Sequence, residues 1–98
     1  DYGVDEISIM KKVKEASASK SLAVIGYNYS SAALLAAPLH VKEKFPMISP
    51  SASANRLSTF GKYVHLGSFS NEYMVKTLAR VATTILDKKK FLILTAVN

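Results

Sequence analysis

The sequence predicts an α/β fold: an open, mainly parallel sheet with flanking helices, built from about three helices and four strands. Segments with helical spacing of apolar residues alternate with short runs that are apolar throughout. Continuous apolar runs are typical of strands that are buried on both faces of a parallel sheet. The 98 residues are 49% hydrophobic, which is enough for one packed core. We therefore expect residues 1–98 to form a single α/β domain.

The first helix and strand are predicted from periodicity and composition. Ile7, Met10 and Val13 recur at helical spacing and predict a helix over residues 6–19, with Asp5 as its N-cap. Residues 22–25 form a continuous apolar run and predict a buried strand.

The second helix and strand follow at once. Ser30 or Ser31 is expected to cap a helix that extends to about residue 44. Pro38 lies inside this helix and removes one backbone donor, so we expect a kink or a restart there. Residues 45–48 predict a short strand. Pro46 is compatible with it, because it stands at the beginning, where the missing N–H matters least.

The second half repeats the alternation after a polar loop at residues 49–61. Residues 63–66 and 91–97 are strand candidates. Residues 71–89 carry the clearest helical pattern, with Asn71 as the expected cap and Glu72 in the first turn. Its apolar stripe consists of Met74, Leu78, Val81, Ala82 and Ile85.

Composition argues against several functional classes. The chain has no cysteine, so disulfides, thiolate metal sites and cysteine nucleophiles are excluded. Its net charge is +6, but the lysines are spread over helix ends and no aromatic-basic reading motif occurs, so we expect no nucleic-acid partner. His40 and His65 lack a second ligand at metal spacing, and no nucleophile-base pair is visible. We expect neither an enzyme nor a metal or other cofactor.

Serine-rich turns follow two of the predicted strands, at residues 29–31 and 50–53. The carboxyl ends of parallel strands meet at one edge of a sheet, where ligands of α/β folds bind. The N-terminus of a helix favours an anion, so a small anionic ligand is expected there. The ordinary alternatives stay open, because serines before helices are usually caps and Ser51 and Ser53 could be plain loop residues. Tyr27, Asn28 and Tyr29 either line a side-chain pocket or lie on the surface.

Several motifs resemble a known family. AVIG at 23–26, the serines at 30–31 and PMISPSAS at 46–53 resemble the type I periplasmic binding proteins, in particular the branched-chain amino-acid (Leu/Ile/Val-type) receptors of bacterial ABC transporters. Residues 1–3, 61–64 and 70–73 also resemble family segments. Two positions depart from the family pattern: Tyr27 replaces a proline or small residue, and 64–66 lacks a common arginine.

The resemblance implies a fold, a function and a location. The family has two α/β lobes that close on a ligand, and residues 1–98 resemble only part of the first, N-terminal lobe. The implied function is solute binding for an ABC-type amino-acid importer, together with an ABC permease. The implied location is periplasmic or otherwise extracytoplasmic, with or without a membrane anchor upstream of this chain.

The resemblance also implies how an apolar amino acid would bind. Ser30 and the turn Ser51-Ala52-Ser53 would hold the ligand's α-carboxylate through hydroxyl and backbone N–H groups. The Ser51 carbonyl and the Ser53 hydroxyl would face its α-ammonium. The other residues of the predicted binding site are Asn28, Tyr29 and Ser31.

A second function is kept open by the missing strands of the lobe. Strands that would flank residues 22–25 have no counterpart in this sequence, and uncovered strand edges pair with other chains. We therefore expect a homo-oligomer and only weak binding of free amino acids. The alternative function is a truncated or stand-alone lobe that acts as an oligomerising structural module with little or no ligand binding.

Overall fold

The computed structural model describes residues 5–96, in which short parallel strands alternate with helices. In chain order the elements are α1 Glu6–Ala18, β1 Val24–Ile25, α2 Ser30–Glu43, β2 Met47–Ser49, a 3₁₀ helix Asn55–Phe60, β3 Val64–Leu66, α3 Asn71–Arg80 and a π-helical segment Val81–Ile85. None of the helices in this range is long and apolar enough to cross a membrane.

The three strands form one parallel sheet in the order β1-β2-β3. Val24 lies opposite Met47, and Met47 lies opposite Val64. The Met47 N–H donates to the Tyr63 carbonyl at 2.8 Å, which fixes the register of β2 against β3. Helix α2 supplies the crossover that two parallel neighbours require. The predicted fold class, a partial α/β lobe with a parallel sheet, is confirmed.

The core lies between α1, α2 and the sheet. Ile9 and Val13 of α1 are fully buried, as are Ala33 and Ala37 of α2. The small alanine side chains let the two helices approach closely. Met47 and the buried residues Leu57 and Val64 extend the same cluster across the sheet.

One polar cluster is buried within this core. The His40 side chain is fully buried, with Nδ1 2.6 Å from the Phe45 carbonyl and Nε2 2.9 Å from the Tyr27 hydroxyl. Because a carbonyl only accepts, Nδ1 carries a proton, and in the neutral imidazole Nε2 accepts from the Tyr27 hydroxyl. Burial lowers the pKa of His40, and the Phe45 hydrogen bond offsets this in part. Burial thus favours the neutral imidazole, which connects Tyr27 and Phe45 by hydrogen bonds.

Helix boundaries differ from the predictions at two N-termini. The N-cap of α2 is Tyr29, so the predicted caps Ser30 and Ser31 lie inside the first turn. The N-cap of α3 is Ser70 rather than Asn71. The prediction for α1 is confirmed, since the Asp5 side chain accepts from the Ser8 N–H at 2.9 Å.

The interiors of two helices also differ from the predictions. Helix α2 continues through Pro38 as one element, so it does not restart there. Helix α3 is regular only to Arg80 and then widens into the π-helical segment. The Thr83 hydroxyl donates to the Ala79 carbonyl at 2.8 Å, a side-chain bond that competes with the regular helical pattern.

The predicted fourth strand is wrong for residues 91–96, which have no strand assignment. The side chains at 92–94 are 81–87% exposed, although all three are apolar. A strand needs a ladder partner as well as apolar residues, and α3, which precedes this segment, has no buried residue. The radius of gyration is accordingly 16.8 Å, against about 13 Å for a compact domain of this length. Val97 and the family-like segment 1–3 lie outside the described residues.

Candidate ligand site at the carboxyl ends of the strands

Three loops meet at one edge of the sheet because β1, β2 and β3 all run in the same direction. They comprise residues 26–29, 50–54 and 67–70. The Ser49 hydroxyl donates to the Tyr27 carbonyl at 2.8 Å and joins the first two loops. The Gly67 N–H donates to the Ser49 carbonyl at 2.8 Å and joins the third. The edge is therefore a connected polar surface.

Ser30 is the central residue of this surface. Its hydroxyl oxygen accepts the N–H groups of Ser53 and Ala54, each at 3.1 Å. A serine oxygen has two acceptor positions and one proton. Both acceptor positions are used, while the proton has no acceptor among residues 5–96. The Ser30 hydroxyl can therefore donate to an incoming ligand without giving up either loop contact.

The N-terminus of α2 differs from those of α1 and α3. The Asp5 and Ser70 side chains cap α1 and α3, the latter by accepting from the Tyr73 N–H at 3.3 Å. No side chain caps α2, because its N-cap is Tyr29. The first N–H groups of a helix lack intrahelical partners and carry the positive end of its dipole. An anion placed beside Ser30 would meet these groups.

Ser51 and Ser53 use their hydroxyl protons within the chain. The Ser51 hydroxyl donates to the Asn28 carbonyl at 2.7 Å, and the Ser53 hydroxyl donates to Oδ1 of Asn71 at 2.6 Å. Each hydroxyl oxygen can still accept a hydrogen bond. These two side chains are therefore placed to receive donors, such as an ammonium group, rather than to bind an anion.

The other predicted residues have different surroundings. Ala52 is 1% exposed, its N–H donates to the Ser49 hydroxyl at 3.1 Å, and its carbonyl accepts from the Ser68 hydroxyl at 3.0 Å. Its polar backbone groups are thus held inside the loop network. The side chains of Asn28, Tyr29 and Ser31 are exposed at the rim.

The structure adds residues that the sequence analysis missed. Ser49 and Ser68 hold the loops together from beneath, and Asn71 contributes both its side chain and its N–H, which donates to the Ser53 carbonyl at 2.7 Å. The Asn55 side chain accepts the Glu72 N–H at 2.9 Å. A serine directly after a predicted strand was the available signal for Ser49.

Tyr27 has a core position rather than an open rim position. Its side chain is 3% exposed and contacts His40, and its backbone φ of 64° turns the chain sharply after β1. Of the two alternatives left open for this residue, neither a pocket wall nor a surface position is realised. The sharp turn brings the following residues, 28–30, to the sheet edge.

The three loops carry no charge and act on a ligand through dipoles. None of the three loops contains a charged side chain. No group of three potential metal ligands occurs anywhere between residues 5 and 96. The three loops can therefore recognise an anion through hydroxyl and N–H groups but offer no carboxylate to a cation. The carboxylate of Glu72, which follows Asn71, pairs with the Lys76 ammonium at 2.8 Å.

Comparisons with known proteins identify similar solved structures. A leucine-binding protein, LivK, from Thermotoga maritima is 27% identical with a TM-score of 0.71, and 89% of this chain aligns with 25% of that one. LivJ from Streptococcus pneumoniae, a branched-chain amino acid transporter substrate-binding protein in complex with isoleucine, is 25% identical with a TM-score of 0.74 over the same shares. This chain thus spans about a quarter of either relative's length. No protein-family model and no curated protein sequence matches it.

Proposed function

We propose a function that follows from the fold of this chain. The chain has the fold of part of a lobe of a type I periplasmic binding protein, and its sequence motifs predicted this fold. The proposed role is solute binding for amino-acid import, with no chemical step. The ligand is an apolar amino acid, the partner of the intact receptor is an ABC permease, and the location is extracytoplasmic. The names of the two similar proteins, a leucine-binding protein and an isoleucine-bound transporter component, support this role.

The observation that carries the proposal is the uncommitted donor of Ser30 beside the uncapped start of α2. In α1 and α3 an oxygen from the chain occupies the position that an anion would take. In α2 that position is left to a partner. The α-carboxylate of an amino acid fits, since it is a planar anion that can accept from Ser30 and from first-turn N–H groups together. Ser31 lies in the same first turn and adds a second hydroxyl.

The proposed contacts to the ammonium group are weaker. The Ser51 carbonyl and the Ser53 hydroxyl oxygen are acceptors, but no acidic side chain belongs to the three loops. An ammonium ion that is removed from water without a counter-charge loses more free energy than neutral hydrogen bonds return. We expect this chain to hold half of a site. If it supplies half the free energy of a micromolar site, the dissociation constant is roughly 1 mM.

The test is an NMR titration of the chain with leucine, isoleucine and valine. The N–H signals of Ser30, Ser31 and Ser53 are expected to move first, without saturation below about millimolar ligand. Saturation at micromolar ligand would contradict the half-site, because the chain would then be a complete receptor. An absence of any shift at these residues up to tens of millimolar would contradict the binding role itself.

Variants separate ligand binding from loop support. Ser30→Ala removes the donor and both accepted bonds, so the shifts should disappear. Ser30→Thr keeps the hydroxyl and should retain them. Ser17→Ala is the matched control, since Ser17 lies on α1 and its hydroxyl donates only to the Lys14 carbonyl at 3.1 Å. Equal shifts in Ser30→Ala and Ser17→Ala would refute the assignment of Ser30.

A further inference from the structure

Helix α3 and the segment that follows it expose a continuous apolar surface. We call it the α3 surface and define it by Met74, Val75 and Leu78 of the helix and by Phe91, Leu92 and Ile93. These six side chains are 38–85% exposed. Monomeric proteins rarely leave contiguous apolar patches of more than about 300–600 Å² open to water. Contact of the α3 surface with a partner would remove this apolar area from water.

The surface is concave. A groove of about 390 Å³ lies between the helix residues Val75 and Leu78 and the segment 91–93. A second groove of about 440 Å³ begins on the other side of Leu78 and is lined by Phe69, Tyr73 and Met74. Protruding side chains thus alternate with hollows along one face. Such a face fits another shaped protein surface better than it fits the flat plane of a bilayer.

The exposed area is large enough for a stable pair. Between residues 69 and 94, eleven large apolar side chains are exposed. Eight of them line the two grooves. Full burial of one such side chain corresponds to about 60–120 Å², so these eight partly exposed side chains present on the order of 500 Å². Two copies together would bury on the order of 1,000 Å², about the minimum for a specific protein interface.

We propose that the α3 surface is the interface between two copies of this chain. A two-fold pair places the same surface on both sides, so the side chains around Leu78 of one copy fill the grooves of the other. No segment within residues 5–96 covers the surface, since its side chains are exposed in the described chain. The sequence placed the open surface at residues 22–25, and the structure places the larger apolar surface at α3.

The test begins with the mass of the chain in solution. Light scattering at micromolar to millimolar concentration should give twice the 10.7 kDa of one chain. Leu78→Glu puts a charge at the centre of the interface and should raise the dimer dissociation constant by at least about tenfold. Leu22→Glu is the matched control, since Leu22 is exposed, apolar and outside the α3 surface. Circular dichroism of both variants checks that the helices remain.

A second measurement locates the interface. The chain lacks cysteine, so Thr77→Cys provides a single site for a spin label. In a mixture of labelled chains and isotope-enriched unlabelled chains, signals from residues 73–94 should broaden in the unlabelled copy. A monomer at all concentrations, or a dimer that Leu22→Glu disrupts as much as Leu78→Glu, would overturn the proposal. A monomer that sediments with phosphatidylglycerol vesicles would assign the surface to a bilayer instead.

Discussion

Helices α1 and α2 bury apolar side chains, whereas α3 leaves its apolar side chains exposed. Around the sheet, α1 and α2 bury Ile9, Val13 and Met47 completely. Helix α3 also carries an apolar stripe, yet it has no buried residue. The difference lies in what each stripe meets, because α1 and α2 pack on each other and α3 has no comparable neighbour in the described chain. Apolar periodicity predicts that a helix forms, and burial additionally requires a surface to cover it.

The largest effects should separate these two regions by stability. Leu57 is fully buried, so Leu57→Ala removes packed methyl groups and leaves a cavity, at a cost of about 2–5 kcal/mol in unfolding free energy. Leu78 is 68% exposed, and Leu78→Ala should change this free energy by less than about 0.5 kcal/mol in the monomer. Denaturant unfolding of dilute protein measures both. Equal losses would show that α3 is packed into the core after all.

An intermediate effect is expected at the sheet edge. Ser30→Ala leaves the N–H groups of Ser53 and Ala54 without their acceptor, which should cost about 1–3 kcal/mol. Ser31→Ala is the neighbouring control, since Ser31 is exposed in the same turn of α2. We expect that control to change the unfolding free energy by less than about 0.5 kcal/mol. If both variants unfold alike, Ser30 does not hold the second loop.

A smaller effect should appear as a pH dependence of the buried region. Burial lowers the pKa of His40 below 6.5 in the folded chain. The unfolded chain therefore binds the proton more readily, and stability should be constant above about pH 6.5 and fall as the pH drops below it. Unfolding free energies measured from about pH 7.5 to about pH 5, a range that includes the ordinary histidine pKa of about 6.5, test the direction of the change.

The histidine control distinguishes the buried residue from the exposed one. His40→Gln should remove the extra loss below pH 6.5, whereas His65→Gln on the exposed side of β3 should keep it. A slope that persists in His40→Gln would assign the pH dependence to other groups. A rise in stability at lower pH would contradict the buried neutral imidazole directly.

Most of the fold could be predicted from the sequence, because continuous apolar runs and helical spacing are local signals. The strands at Val24, Met47 and Val64 follow from them. The prediction of a fourth strand was wrong, because a strand also needs a hydrogen-bonded neighbour, and the apolar sequence of residues 91–96 does not show whether one is present. The predicted cap of α2 was also wrong, because it too depends on a neighbouring segment. Ser30 has the right chemistry for a cap, but the approach of the second loop recruits its hydroxyl instead.

The candidate site was partly predictable. Placement of Ser30 and Ser53 at one edge follows from parallel strands, and their contact agrees with it. The hydrogen-bond partner of Ser49 and the burial of Tyr27 were not predictable, because both depend on a sharp turn with a positive φ after β1. Which serine hydroxyls donate within the chain could not be predicted from the sequence either. Only the hydrogen-bond partners show that Ser30 keeps a free proton while Ser51 and Ser53 do not.

The binding of an amino acid depends most on recognition of its carboxylate by the uncapped end of α2 and the Ser30 hydroxyl. Three ligands of one shape test it: leucine, 4-methylpentanoate without the ammonium group, and isopentylamine without the carboxylate. NMR titrations should show that leucine and 4-methylpentanoate move the N–H signals of Ser30, Ser31 and Ser53, and that isopentylamine does not. Equal shifts from isopentylamine, or none from 4-methylpentanoate at concentrations where leucine acts, would contradict it.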